Sequence, residues 1–323
     1  MGSEIVARSQ PSDRDAELAL LFRAERRRLW ALAYRLTGSA EDAEDVVQDA
    51  FARLVAQDPR SPFDQLGPWL VRVATNLGID ALRRRQRRGY AGPWLPSPIE
   101  TPEADPVEAR PDESPDPEVR YGLVESATYA FLIALEALGP RQRAVLLLRD
   151  VLGHSARETA DLVGTTEGSV RVLHLRARRA LEEYDKARCI PTPELRERHR
   201  AALQRFLDCL LAQDARGLEA ILAESVQTVT DSAGAYTALA TPLAGRARVS
   251  RLYLMAALHR KAGGTRNEIR LVNELPAVLI ALDRPVRRQA PRTLIRCELD
   301  DAGCIRVVQA ILAPRKLAGL TSW

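Results

Sequence analysis

Between Asp13 and Arg88 the apolar residues recur three and four positions apart, the spacing that places them on one face of an α-helix. Leu18, Leu21 and Phe22, then Leu29, Leu32 and Leu36, predict a first helical stretch that Gly38 ends. Ser39 is placed to cap a second helix, with Glu41 and Asp42 in the first turn, where carboxylates favour the positive helix end. Its apolar face is Ala43, Val46, Val47, Ala50, Phe51 and Leu54. Pro59 and Pro62 break the pattern in a loop over 58–66. A third helix is predicted from about Pro68 and Trp69, since proline is favoured in a first helical turn. It carries Val71, Ala74, Leu77, Ile79 and Leu82 into the basic run Arg83-Arg-Arg-Gln-Arg-Arg88.

The periodicity stops near residue 90. Residues 93–117 hold eight prolines among many carboxylates, which reads as an extended acidic linker over 90–120. Its beginning, Tyr90-Ala-Gly-Pro-Trp-Leu-Pro96, is unlike the rest, and Trp94 and Leu95 are expected to dock on a folded surface. A chance aromatic in a coil is the alternative. Helical spacing returns over 121–187 through Tyr129, Leu132, Ile133, Leu135 and Leu138, then Val145 to Leu148 after Gly139-Pro140. This unit closes on a helix, a turn marked by Gly164, and a second helix rich in arginine. Thr165 or Thr166 can cap that second helix. Val170, Leu173, Leu175 and Ala177 are expected to pack it, leaving Arg171, His174, Arg176, Arg178 and Arg179 outward. Such a helix-turn-helix can lay one helix in the major groove of DNA. An ordinary helical hairpin with a solvated basic face has the same pattern.

After Pro191 and Pro193 the period changes within a third unit, 194–323. Helices are predicted over Leu195–Gln213 and Asp214–Ala223, and another over Ala247–Leu258. Segments 226–230, 268–272, 277–282, 292–299 and 304–312 are β-branched or alternating and read as strands. Asp301-Ala-Gly303 is a plausible hairpin turn between the last two. Helices followed by an antiparallel sheet make this unit α+β.

Bulk properties add limits. A chain of 323 residues suits two or three domains, and 46% hydrophobic residues support real cores. A net charge of +4 conceals 47 basic and 43 acidic residues, a balance compatible with nucleic acid as a partner. Cys189, Cys209, Cys297 and Cys304 form no CxxC pair, so no zinc site, metal or redox cofactor is expected. Buried thiols, no apolar run of about 18 residues and no apolar leader core suggest a cytoplasmic protein without a membrane span.

Three segments, in order, resemble the bacterial sigma factors of the extracytoplasmic-function group. Glu41-Asp-Ala-Glu-Asp-Val-Val-Gln-Asp-Ala-Phe51 resembles their region 2.2, and Trp69-Leu-Val-Arg-Val-Ala-Thr-Asn-Leu-Gly-Ile-Asp-Ala-Leu-Arg83 their regions 2.3 and 2.4. Leu138-Gly-Pro-Arg-Gln-Arg-Ala-Val145 opens a segment similar to region 4, so that the resemblance spans about 13–187. The third unit is similar to the C-terminal SnoaL-like domain of a SigJ-like subgroup, a cone-shaped α+β fold. Tyr90–Pro96 resembles that subgroup's linker motif. Of its terminal Asn-Pro-Asp-Lys-Leu motif, Pro314, Lys316 and Leu317 survive, and its Asp-Gly-Gly-Gly motif stands here as Asp231-Ser-Ala-Gly234.

The resemblance implies a multidomain chain. It would have a sigma region 2 domain at 13–89, the linker at 90–120, a region 4 helix-turn-helix domain at 121–187 and a regulatory α+β domain at 194–323. It implies an alternative sigma factor whose partners are core RNA polymerase, through its β′ clamp helices and β subunit, and promoter DNA. The C-terminal domain would contact the sigma domains or the linker. Asp45, Gln48 and Asp49 on the second helix would meet the clamp, although a solvated acidic helix looks alike. Arg72, Asn76, Asp80, Arg83 and Arg84 would handle the −10 element, with the loop 58–66 forming the pocket for a flipped base. Arg171 and Arg176 are the first candidates for the −35 element, with Glu167, Ser169, Val172 and Arg178 beside them. His199, His259, Arg270, Arg292, Arg296, Arg306, Tyr236, Tyr253, Asp231 and Trp323 are the residues that could serve a cavity in the cone, but no acid–base pair stands out, and the chain is not expected to be an enzyme. A helix-turn-helix regulator without polymerase and an enzyme carried by the third unit are the rival readings.

Overall fold

The computed structural model describes residues 13–56, 66–101, 120–261 and 264–320. The loop expected to form a base pocket, apart from Leu66, and Trp323 lie outside the described residues. The chain opens with three helices, α1 (Asp13–Thr37), α2 (Ala40–Val55) and α3 (Leu66–Arg88). Gly38 at the end of α1 takes φ +70°, and Ser39 caps α2 by accepting from the Asp42 amide at 3.1 Å. α2 and α3 bury the stripes read from their sequences, and α1 buries Leu21, Leu29, Leu32 and Leu36, whereas its Leu18 is half-buried and Phe22, expected in the stripe, is 39% exposed.

The second helical unit comprises α4 (Tyr129–Ala134), α5 (Pro140–Leu146), α6 (Ala156–Val163), α7 (Glu167–Ala180) and α8 (Glu182–Lys186). Its core is continuous with that of the first unit. Arg143 of α5 is buried and reaches the Arg35 carbonyl at the end of α1 with Nε and Nη2 at 3.3 and 3.2 Å, while Glu136 neutralises it. A cation at a helix C-terminus satisfies carbonyls that the helix itself leaves unpaired.

The third unit begins with α9 (Pro193–Ala212) and α10 (Ala215–Ile221). It continues through β1 (Leu222–Asp231), β2 (Leu243–Ala244) and α11 (Arg246–Lys261). It ends with β3 (Thr265–Val272), β4 (Leu275–Leu282), β5 (Arg292–Leu299), β6 (Ile305–Ile311) and the turn-length α12 (Pro314–Leu317). The strands form one six-stranded sheet in the order β2-β1-β6-β5-β4-β3. The β1–β6 pair is parallel and the other pairs are antiparallel. The predicted strands and helices are all present, and β2 is an addition that two residues could not signal. Gly303, at φ +83°, closes the β5–β6 hairpin as expected.

β4 is buried at every position, because the sheet is covered on both faces. Val278 and Ile280 face the core under α9 and α11, whereas Ala277 and Leu279 face Leu95 and Tyr129. The linker assignment therefore needs correction at its start: residues 94–98 are half-buried or buried, and Glu100 bridges to Val272 beside the sheet. Tyr129, read as part of the core of the second helical unit, instead joins the cluster on the outer face of the sheet.

Candidate promoter and polymerase interfaces

On α2 the apolar stripe faces inward, so Asp45, Gln48 and Asp49 are left on the opposite side and all three are exposed. The flanking carboxylates are engaged: Glu44 pairs with Arg26 at 2.9 Å and Glu41 with Arg315 at 3.0 Å. Asp45 and Asp49 have no ion pair among the described residues, which leaves an acidic surface open to a basic partner.

On α3, Arg72, Arg83 and Arg84 are exposed, and Arg83 pairs with Asp80 one turn earlier at 2.9 Å. Asn76 does not share their exposure. Its amide donates to the Arg72 carbonyl at 2.8 Å and, across the two helical units, to the Leu162 carbonyl of α6 at 3.0 Å. Further along, Arg85 donates to the Thr37 carbonyl at 2.9 Å, pairs with Glu136 at 2.5 Å and stacks 3.9 Å from the Trp94 ring centre.

The helix-turn-helix is built from local signals. Ser155 and Glu158 form a reciprocal capping box at the start of α6, and Gly164 ends that helix at φ +70°. Thr166, rather than Thr165, caps α7 by accepting from the Ser169 amide at 3.2 Å, and its hydroxyl meets the Ser169 hydroxyl at 3.0 Å. Val170 and Ala177 are buried as expected. Leu175 is not: it is 53% exposed, as is Val172 at 50%.

The inward face is completed by polar residues that the sequence reading turned outward. Asp150 is fully buried; its Oδ1 receives His174 Nε2 at 2.7 Å and Arg178 Nη2 at 2.8 Å, and its Oδ2 receives Arg178 Nε at 3.0 Å. Burial alone would raise the Asp150 carboxyl, but the hydrogen bonds from His174 and Arg178 outweigh it and hold the group below its ordinary value. Arg178, so held, is withdrawn from the −35 candidates. Arg171 and Arg176 remain exposed, Arg171 steadied by Glu167 at 3.0 Å.

The start of the linker joins all three units. Asp231, fully buried at the end of β1, accepts from Tyr90 Oη at 2.7 Å, the Leu95 amide at 2.8 Å and Lys316 Nζ at 2.6 Å. Lys316 also donates to the Leu95 carbonyl and lies 4.5 Å from the Trp94 ring centre. Burial pushes the Lys316 ammonium down to about 8, against the opposing pull of Asp231. Trp94 is half-buried between two cations, and Leu95 is buried. Tyr129 donates to the Pro96 carbonyl, and the Ser97 amide donates to the Gly38 carbonyl at 2.8 Å.

Sequence reasoning missed Asn273. Asn273 and Glu274 form the two-residue turn between β3 and β4, with φ +48° and +70°, the backbone that a tight hairpin demands. The Asn273 amide donates to Tyr34 Oη at 2.8 Å and the Ala127 carbonyl at 2.9 Å, and its oxygen accepts from the Ile99 amide at 3.0 Å. One side chain thus touches both helical units and the linker. The signal available was an asparagine between two apolar runs.

Of the ten residues proposed for a cavity in the cone, Tyr253 alone lines one among the described residues. Asp231 faces the linker, and Arg296 stacks on Tyr129 at 4.6 Å. Arg270 pairs with Glu100 at 2.7 Å, Arg306 with Glu298 at 3.0 Å, and Arg292 reaches the Leu317 and Leu320 carbonyls. His199 and His259 each bond a carbonyl of their own helix, and Tyr236 is half-buried against the inner core of the unit. The cysteines are free thiols, no cluster of His, Cys, Asp or Glu suited to a metal occurs among the described residues, and no described helix is long and apolar enough to cross a membrane.

Comparison with known proteins identifies the two helical units. Residues 21–88 match the model of Sigma-70 region 2, and residues 130–181 that of Sigma-70 region 4. The chain is 35% identical over 256 residues to the ECF RNA polymerase sigma factor SigG of Mycobacterium tuberculosis (strain ATCC 25618 / H37Rv), covering 72% of this chain and 67% of that one. It is 32% identical over 283 residues to SigJ of the same strain, covering 84% of each. The crystal structure of M. tuberculosis SigJ superimposes with a TM-score of 0.68 at 27% identity, covering 93% of this chain and 98% of that one.

Proposed function

Because the chain belongs to the extracytoplasmic-function RNA polymerase sigma factors, we propose that its C-terminal domain governs when its two promoter-reading units can separate. The chain is an alternative sigma factor that binds core RNA polymerase, recognises −10 and −35 promoter elements and initiates transcription. In our reading Asp45, Gln48 and Asp49 meet the β′ clamp helices, with complementary charge speeding encounter and fixing register. Arg72, Asn76, Asp80, Arg83 and Arg84 engage the −10 strand. Arg171 and Arg176 reach base edges of the −35 element, flanked by Glu167, Ser169 and Val172, while the second helical unit approaches the β subunit.

The observation that carries the regulatory part is the bond from Asn76 of α3 to the Leu162 carbonyl of α6. A helix meant for melted −10 DNA is there joined to the helix pair meant for the −35 duplex. Both elements are engaged together only after α3 and α6 part, a two-state change that polymerase and promoter would drive by binding the open form. Asp231, Lys316 and Asn273 tie the C-terminal domain to the closed form through the linker and Tyr34.

Run-off transcription with bacterial core polymerase on promoters selected by this protein tests the reading. The full chain is expected to support it, and the triple variant Asp45→Asn, Gln48→Ala, Asp49→Asn to associate with core roughly tenfold more slowly at low salt. A folded chain that neither binds polymerase nor transcribes would return the protein to the class of DNA-binding regulators. Truncation at residue 190 reads the sign of the C-terminal effect: higher output means restraint, lower output means assistance.

A further inference from the structure

Between α9, α11 and the inner face of the sheet lies a cavity of about 470 Å³, far from the promoter-reading helices. Its walls are largely apolar, with Leu210, Leu252, Ile280 and Ile295 among them, and its size falls within the roughly 300–1,000 Å³ of small-molecule sites. The one charged residue of the lining, among the described residues, is Arg260, near the end of α11, with neutral polar groups such as Gln213, Asn267 and Thr293 elsewhere on the wall. Its Nη2 donates to Thr293 Oγ1 at 2.9 Å, and no carboxylate among the described residues lies within ion-pair distance. The Tyr253 and Thr228 hydroxyls satisfy each other at 2.8 Å, which leaves the guanidinium as the unneutralised group.

A cation beside apolar walls is costly unless a counter-charge joins it. Burial accordingly pushes Arg260 below its ordinary value. No second Lys, Arg or His lines the cavity among the described residues, so the charge to be matched is single. A guanidinium presents parallel N–H donors that suit a planar carboxylate in two-point contact. We propose that this cavity binds an apolar monocarboxylic acid as its anion, the carboxylate seated on Arg260 and the hydrocarbon among the leucines and isoleucines.

Decanoate titrated into the full-length chain by calorimetry is the probe, with decanol as the uncharged control. Decanoate is expected to bind at least about tenfold more tightly than decanol, the margin of one charge-assisted contact. Arg260→Gln should abolish the difference while leaving decanol affinity unchanged, and Arg260→Lys should retain part of it. Ala256→Trp, which fills the cavity, should remove both. Equal affinity of the wild-type chain for the two probes would overturn the proposal without recourse to any variant. So would a decanoate preference that survives Arg260→Gln or Ala256→Trp in a chain with an unchanged melting profile, or no binding of either probe up to about 1 mM.

Discussion

Asp150 decides which residues of α7 are free to meet DNA. It is fully buried, and it draws His174 and Arg178, four positions apart on one helix face, into a shared carboxylate. That choice turns Leu175, which the pattern had assigned to the core, out to solvent at 53% exposure. It also leaves Val172 beside Arg171 and Arg176 on the outer side, where an apolar group can meet a thymine methyl. The arrangement has a definite pH signature. The folded carboxyl titrates below its ordinary value and the unfolded one near about 3.9. The unfolded state therefore binds more protons in that window. The stability it contributes is complete above about pH 4 and is lost as pH falls toward the folded value. Asp150→Asn should lower stability at pH 7 by about 1–3 kcal/mol, since Arg178 is partly solvated and keeps some of its hydration. Urea titrations at pH 7 and at pH 3.5 should show the gap between wild type and variant narrowing in acid. A gap that holds constant would mean that the carboxylate charge contributes nothing.

At the scale of elements, the recognition helix offers the sharpest test. Arg176 is exposed and has no ion pair among the described residues, whereas Arg171 is already held by Glu167. If Arg176 reads a base, Arg176→Ala should weaken binding to a duplex with the selected −35 element by about 1–3 kcal/mol and leave a scrambled duplex nearly unaffected. Equal loss on both duplexes, with the salt slope reduced by roughly one, would make it a phosphate contact instead. The elements themselves were legible because α2, α3, α6 and α7 bury apolar stripes of helical period, and the caps of α2, α6 and α7 are local. What stayed hidden depended on partners far along the chain. Tyr129 looks like any core aromatic of a helical unit, and nothing near it in sequence points to Leu95, Leu279 or Leu317. The cavity residues were misread for a simpler reason, the two-residue alternation of strands. Thr230, Thr293 and Ile295 line the cavity, so their neighbours Asp231, Arg292 and Arg296 lie on the outer face, toward the linker and α12. Choosing which alternate set faces inward needed the position of α11, which sequence does not provide.

For the whole molecule, if the proposed opening governs activity, the balance between closed and open forms would rest on a small joint. Trp94 lies between the Arg85 guanidinium at 3.9 Å and the Lys316 ammonium at 4.5 Å, one cation from the −10 helix and one from the C-terminal turn. Removing the ring deletes two cation–π contacts of about 0.5–2 kcal/mol each and exposes the Asp231–Lys316 pair to water. A loss of roughly 2–3 kcal/mol raises the ratio of open to closed form about 30- to 140-fold, since each 1.4 kcal/mol is a factor of ten. Whether that is visible depends on the starting ratio: a closed form favoured by a few kcal/mol would pass from trace opening to a substantial fraction. Trp94→Ala should therefore enlarge the radius of gyration in small-angle scattering and increase the apparent affinity for core polymerase, because the competent form is no longer scarce. Lys316 supplies an independent lever on the same equilibrium. Its ammonium titrates at about 8 when docked and near the ordinary value of about 10.4 when released, so the open form holds more protons in between. Raising the pH from 8 toward 10 should thus compact the wild-type chain, and the Trp94→Ala chain should compact less, having lost part of the burial that depresses the ammonium. If scattering and polymerase affinity are both unchanged in Trp94→Ala, the joint does not hold the closed form, and the bond between Asn76 and α6 must rest on the packing of the two helical units alone.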